Sequence, residues 1–174
     1  LIHFDSHGDI NSHKASPTKN FHGMYLRPFF SDFDIDLINK LVPKKLGTNQ
    51  VLFIGDLSLD GDEPDFFIAH DLRNITNQQF IENKQGALRL IADFINRFEH
   101  IHISFDIDVL DRVDAGATGI PNDGKWRLAQ ILEILELISK HPSFTLDLCE
   151  VNPSKSGKTK TIKAAQKIIL KLLS

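Results

Sequence analysis

The chain has 174 residues, 41% hydrophobic and 25% charged, which fits one domain (residues 1–174) and excludes collagen, coiled-coil and disordered chains. Its net charge of −3 offers no field for nucleic acid or an anionic membrane, and its one cysteine excludes an internal disulfide or a thiolate zinc cluster. No apolar run approaches the ~18 residues of a membrane span, and no secretory leader opens the chain, so the cytoplasm is the expected compartment.

Leu1-Ile2-His3-Phe4 reads as a buried strand that starts without Met and runs straight into Asp5-Ser6-His7-Gly8-Asp9. Asp34 to Leu41 has the spacing of a short helix. Val51–Ile54 reads as a second strand, and Asp60-Gly61-Asp62-Glu63 beyond it as a turn leading into an acidic first helical turn. Asn74–Thr76 is a third, shorter strand. Leu88, Ile91, Ala92, Ile95 and Phe98 then recur at helical spacing. Ile101–Phe105 is a buried strand ending in Asp106-Ile107-Asp108. Leu128, Ile131, Leu132, Leu135 and Ile138 mark a helix whose start Trp126 anchors. Phe144–Cys149 is the last buried strand and runs into Glu150. Ile162, Ala165, Ile169, Leu172 and Leu173 mark the final helix. Strands alternating with helices imply right-handed crossovers and a mostly parallel sheet covered on both faces, a three-layer α/β/α domain. Ligands of such sheets bind beyond the carboxyl ends of the strands.

Acidic residues stand at just those ends. A buried carboxylate costs several kcal/mol unless it is paired or metal-bound, so acids directly after apolar strands are poor core material. Asp5, Asp9, Asp106 and Asp108 with His7, converging on one sheet edge, would repel, and at least one carboxylate would hold a proton near neutral pH. Divalent cations remove that conflict. Mixed carboxylate and imidazole ligation suits manganese, iron(II) or zinc, with oxygen-rich sites leaning to manganese. Alternate residues of an extended segment project the same way, so Asp-x-His-x-Asp and Asp-x-Asp can each present ligands to one pair of ions. Either motif alone reads as helix caps and Asx turns; the two together, each after an apolar strand, read as a metal site.

Five blocks in order carry a resemblance. Asp5-Ser6-His7-Gly8-Asp9-Ile10-Asn11, Asn20-Phe21-His22-Gly23-Met24, Ser104 to Asp111, Ala117-Thr118-Gly119-Ile120-Pro121 and Glu150-Val151-Asn152-Pro153 resemble the ureohydrolases: the arginase, agmatinase and formiminoglutamase enzymes. The spacing from Asp9 to the Asn-x-His-Gly block is most similar to arginase. The resemblance implies a binuclear manganese site on an arginase-like α/β fold, with Asp5 and Asp106 bridging, Asp9 on the first ion, and His7 and Asp108 on the second. It implies a metal-bridging hydroxide that attacks a guanidinium carbon, arginine becoming ornithine and urea. Glu150 would pair with the guanidinium, and His22 would shuttle protons to the leaving amine with Asp9 assisting. Asn11, Thr18 and Asn20 would face the amino acid's carboxylate, with Asp60 and Glu63 on its α-amino group. A trimer or hexamer, no nucleic acid and no membrane complete what the family implies.

Several positions depart from the pattern. Leu57-Ser58 stands where the family has Arg-Asp, Ile120 where it has a hydroxyl residue, and Arg112 where it has Pro. The family's first metal-ligand histidine, in a Gly-Gly-x-His segment, has no counterpart in this sequence. The strand-like start favours a chain incomplete at its amino terminus, holding two ions in the complete site and one in the present chain. An agmatinase or formiminoglutamase-like hydrolase, and a non-catalytic relative that has lost one ligand, remain open as readings. A one-zinc deacylase fits less well, because two full acidic motifs overprovide ligands for it. Cys149 reads as inert packing, and His3 as a core histidine or one supporting a ligand. His13, His70, His100, His102 and His141 read as structural or surface residues.

Overall fold

The computed structural model describes residues 1–121 and 126–174. In chain order, β1 (Ile2–Phe4) is followed by the short helices α1 (Arg27–Phe30) and α2 (Asp36–Leu41), then by β2 (Leu52–Ile54). Next come α3 (Glu63–Ala69), β3 (Arg73–Ile75), α4 (Asn77–Glu82) and α5 (Lys84–Ile95). The remainder is β4 (Ile101–Asp106), α6 (Arg112–Ala115), α7 (Leu128–Ile138), β5 (Phe144–Cys149) and α8 (Lys158–Leu172). All five expected strands form, each within a residue or so of the expected bounds. They make one parallel sheet in the order β3-β2-β1-β4-β5. Helix joins strand along the whole chain, as the right-handed crossovers of a parallel sheet require.

The chain divides into two compact units. The first holds Leu1–Ser6, Phe53–Asp56 and Asn74–Ser174; the second holds His7–Leu52 and Leu57–Arg73. In the first, the register pairs Ile2 with Ile103 and Phe4 with Phe105, whose rings stack with centroids 4.9 Å apart. The opposite sheet face is polar. There His102 Nδ1 lies 2.8 Å from Thr145 Oγ1, His102 Nε2 lies 2.7 Å from Asp147 Oδ2, and Ser104 Oγ donates to Asp147 Oδ1 at 3.1 Å. The period of two thus sorts apolar from polar side chains along β4 and β5.

Three sequence readings need correction. Phe144–Cys149 is not a fully buried strand: β5 lies at the sheet edge, and its residues alternate between half-buried and exposed. Cys149 is exposed, with its Sγ 3.7 Å from both the Phe105 carbonyl and Asp106 Oδ2. Desolvation of the sulfur and the neighbouring Asp106 push its thiol well above the usual range, which disfavours the thiolate. In α8 the buried stripe is Thr161, Ala164, Ala165, Ile168 and Leu172, turned from the expected one; Ile162, Ile169 and Leu173 face solvent. The periodicity was right but its phase was not, because small residues lie where α8 meets α6 and α7. Trp126 is fully buried against Phe80 and accepts the Asp111 amide on its carbonyl at 2.8 Å, just ahead of α7. Among the described residues, no helix is long and apolar enough to cross a membrane.

Replacing Phe105 by Ala removes the ring that stacks on Phe4 in a fully buried position. Such truncations cost about 3–5 kcal/mol. Urea unfolding should show a loss of that size, and a loss under 1 kcal/mol would contradict this packing.

Candidate metal centre

Asp5 directly follows β1, Asp106 ends β4, and Asp108 sits in the 3-10 turn Ile107–Val109. All three are buried, and all belong to the first unit. The turn is built by the acids themselves: Asp106 Oδ1 accepts the Asp108 amide at 2.8 Å, a side-chain cap that lets the strand stop. Ser6 grips Asp108 Oδ1 from its backbone amide at 3.2 Å and its hydroxyl at 2.8 Å. A ligand oxygen of Asp5 lies within 4.8 Å of one of Asp108.

Burial, then the charges of Asp5 and Asp108 and more weakly Glu150, push the Asp106 carboxyl up to about 9. One carboxyl of the group therefore keeps a proton at neutral pH. A divalent cation can take the place of that proton and cancel the repulsion, so the donor set fits a hard, oxygen-preferring ion.

Glu150 follows β5 and is exposed, with a left-handed backbone (φ 62°). That conformation disfavours residues bearing a Cβ, by about 1–2 kcal/mol. Its Oε2 leans on Gly119, where an added Cβ would come within 2.8 Å. The Asn152 amide, donated to the Ala117 carbonyl at 2.8 Å, ties the same two segments together.

The second unit holds the remaining expected residues. His7 pairs with Ser58 as a parallel bridge, so the Leu57-Ser58 segment supports the motif despite lacking Arg-Asp. Asp9 is left-handed (φ 53°), and its carbonyl accepts the Leu26 amide at 3.0 Å. Gly8 sits in a crowded place: a Cβ would meet Leu59 Cδ2 at 2.7 Å and Glu63 Oε1 at 3.0 Å. Asn11 and Asp60 are brought together, the amide of Asn11 donating to Asp60 Oδ1 at 2.6 Å.

Glu63 is buried, and its two oxygens accept the amides of Ile10 (2.9 Å) and Asp60 (3.0 Å). Burial raises its carboxyl while those amides lower it. Its observed work is to tie the loop together, where a substrate contact was expected. Thr18, Asn20 and His22 are exposed; His22 lies on the 3-10 turn Phe21–Met24.

Sequence reasoning passed over Ser6, Asp62 and Arg27. Asp62 accepts the Ser12 amide at 2.9 Å, and Arg27 lies 3.3 Å from Asp62 and 3.7 Å over the Phe66 ring. No spacing signals an arginine that reaches back across 35 residues. Ser6, by contrast, is flagged by its place inside the Asp-x-His-x-Asp run.

The model of the Arginase family matches residues 1–174. The chain belongs to the arginase family. It is 30% identical over 159 residues to the arginase of Staphylococcus aureus (strain MRSA252), covering 88% of this chain and 52% of that protein. It superposes on the arginase of Bacillus subtilis subsp. subtilis str. 168 with a TM-score of 0.89 at 27% identity, covering 99% of this chain and 60% of that one. Entamoeba histolytica arginase, solved in complex with L-ornithine, gives 0.91 over 99% of this chain and 59% of its own, at 24% identity, a likeness of fold. The chain thus spans between a half and two thirds of the length of these arginases. The three-layer α/β/α class expected from the sequence is the one these arginase folds support.

The raised carboxyl of Asp106 fixes a pH dependence. Unfolded, Asp106 loses its proton near its ordinary 3.8; folded, it holds the proton to about 9. Between those limits the folded chain binds the extra proton, so stability falls as pH rises. Thermal melts in EDTA should show that fall, and Asp106→Asn, which keeps the acceptor for Asp108, should flatten it. A wild-type fall that Asp106→Asn leaves unaltered would contradict the assignment.

Proposed function

We propose that this chain is part of an arginase-family metallohydrolase that takes divalent manganese and hydrolyses a guanidino substrate, arginine to ornithine and urea. The observation that carries the reading is the buried set of Asp5, Asp106 and Asp108, whose repulsion holds the Asp106 carboxyl up to about 9. Relatives named arginase at about 30% identity support the choice of reaction. When bound, the metal supplies Lewis acidity and a water of lowered pKa at neutral pH.

Asp5, Asp106 and Asp108 hold the ions, and His7 and Asp9, which continue the same run of chain, complete the ligand set that the family resemblance assigns. Glu150 pairs with the guanidinium, whose planar fork of donors matches a carboxylate. His22 delivers a proton to the leaving amine, with Asp9 assisting. Asn11 and Asp60, 2.6 Å apart, take the amino-acid head, with Thr18 and Asn20 on its carboxylate side. Glu63 acts at one remove, by holding the amides of Ile10 and Asp60. The reaction belongs to the whole protein, as does assembly into a trimer or hexamer.

Glu150→Gln tests this reading, because it removes the counter-charge to the guanidinium without touching the buried carboxylates. Losing one electrostatic stabiliser costs about 10²–10³ in rate. Urea release from arginine by the manganese-loaded whole protein should fall by that factor with metal content unchanged. Full activity in the variant would remove Glu150 from the mechanism.

A further inference from the structure

His3 stands outside the ligand set described so far, yet it lies against one of its members. Residues two apart on a strand share a face, and His3 and Asp5 are so placed on β1 and its end. His3 Nε2 is 3.2 Å from Asp5 Oδ2, and both side chains are almost wholly shielded from water. The imidazole stands edge-on to the buried ring of Phe53, with centroids 5.3 Å apart and planes at 85°. In the sheet register His3 lies opposite Ser104, so its backbone is held between β2 and β4. A ring set by an aromatic wall and a strand backbone presents its Nε2 at a fixed point.

We propose that His3 is a positioning residue for the Asp5 carboxylate, its buried Nε2 standing 3.2 Å from Oδ2 and so limiting how Asp5 is presented to a divalent ion. The proposal rests on the metal reading above. A free carboxylate turns about two side-chain bonds, and freezing that rotation before the ion arrives removes an ordering cost from binding. Partners that orient a metal ligand in this way typically contribute 10–100-fold in metal affinity. Asp5 directly follows a strand of only three residues, and His3 supplies one of the contacts that restrict its carboxylate.

The test is calorimetric titration of the chain with Mn²⁺ at pH 7, alongside thermal melts in EDTA, for wild type, His3→Phe and His3→Gln. Phenylalanine fills the buried volume without a nitrogen, whereas the amide of glutamine reaches about as far as Nε2. His3→Phe should keep its EDTA melt near wild type and bind Mn²⁺ 10–100-fold more weakly, with His3→Gln recovering most of the loss. If His3→Phe fails to fold, His3→Asn, polar but one bond too short to reach Oδ2, takes its place with the same expected loss. Wild-type affinity in the Phe or Asn variant overturns the proposal while leaving the metal reading intact. Equal loss in the Gln variant also overturns it, since the imidazole would then be a ligand in its own right. A wild-type chain that takes up no Mn²⁺ overturns the metal reading and this inference together.

Discussion

Two carboxylates buried about 5 Å apart repel by roughly 3 kcal/mol at an effective dielectric near 20. The first unit places Asp5 and Asp108 in that situation at the carboxyl ends of adjacent strands, with the buried Asp106 near enough to feel both charges. Nothing about a parallel sheet requires such crowding, and a packed apolar corner would be more stable. The site answers the repulsion in two ways. Ser6 and the amide of Asp108 donate to individual oxygens, and one proton stays on the group, which is why the Asp106 carboxyl is raised. A divalent ion neutralises the same charge with more ligands at once.

The backbone around the acids bears the cost of arranging them. Asp9 and Glu150 both adopt left-handed φ values, of 53° and 62°. Each lies directly after an apolar strand or its acidic extension, where the chain must turn sharply to aim a carboxylate. In the second unit, the loop after Asp9 is knitted by acids as well as by its buried Ile10. Asp60, Asp62 and Glu63 collect Asn11 and the amides of Ser12 and Ile10, and Arg27 balances part of their charge. That loop is therefore held by polar contacts whose geometry is specific.

Much of this was legible beforehand because apolar strands and the acids after them are local signals. Ile101–Phe105 followed by Asp-Ile-Asp declares both a strand and its functional end within eight residues. The helices α5, α7 and α8 declared themselves by period, although α8 turned out to bury alanines and Thr161 in place of Ile162 and Ile169. Hydrophobicity ranks isoleucine above alanine, but close approach of neighbouring helices selects the small side chain. The four-residue helices α1 and α6 span barely a turn and leave no period to read. The partners of Glu63 were hidden for a related reason: the Ile10 and Asp60 amides that it accepts become visible only when the chain folds back on itself. His102 and Asp147 meet across the register of β4 and β5, which no single segment reveals.

The central claim is that a divalent ion takes the place of a proton among the buried carboxylates. Calorimetric titration with Mn²⁺ at pH 7 in two buffers of different ionisation enthalpy measures both the affinity and the protons released on binding. The account predicts saturable uptake with release of about one proton for the first ion, because the raised carboxyl of Asp106 holds one until the metal displaces it. Absence of uptake, or uptake whose heat is the same in both buffers, would contradict it.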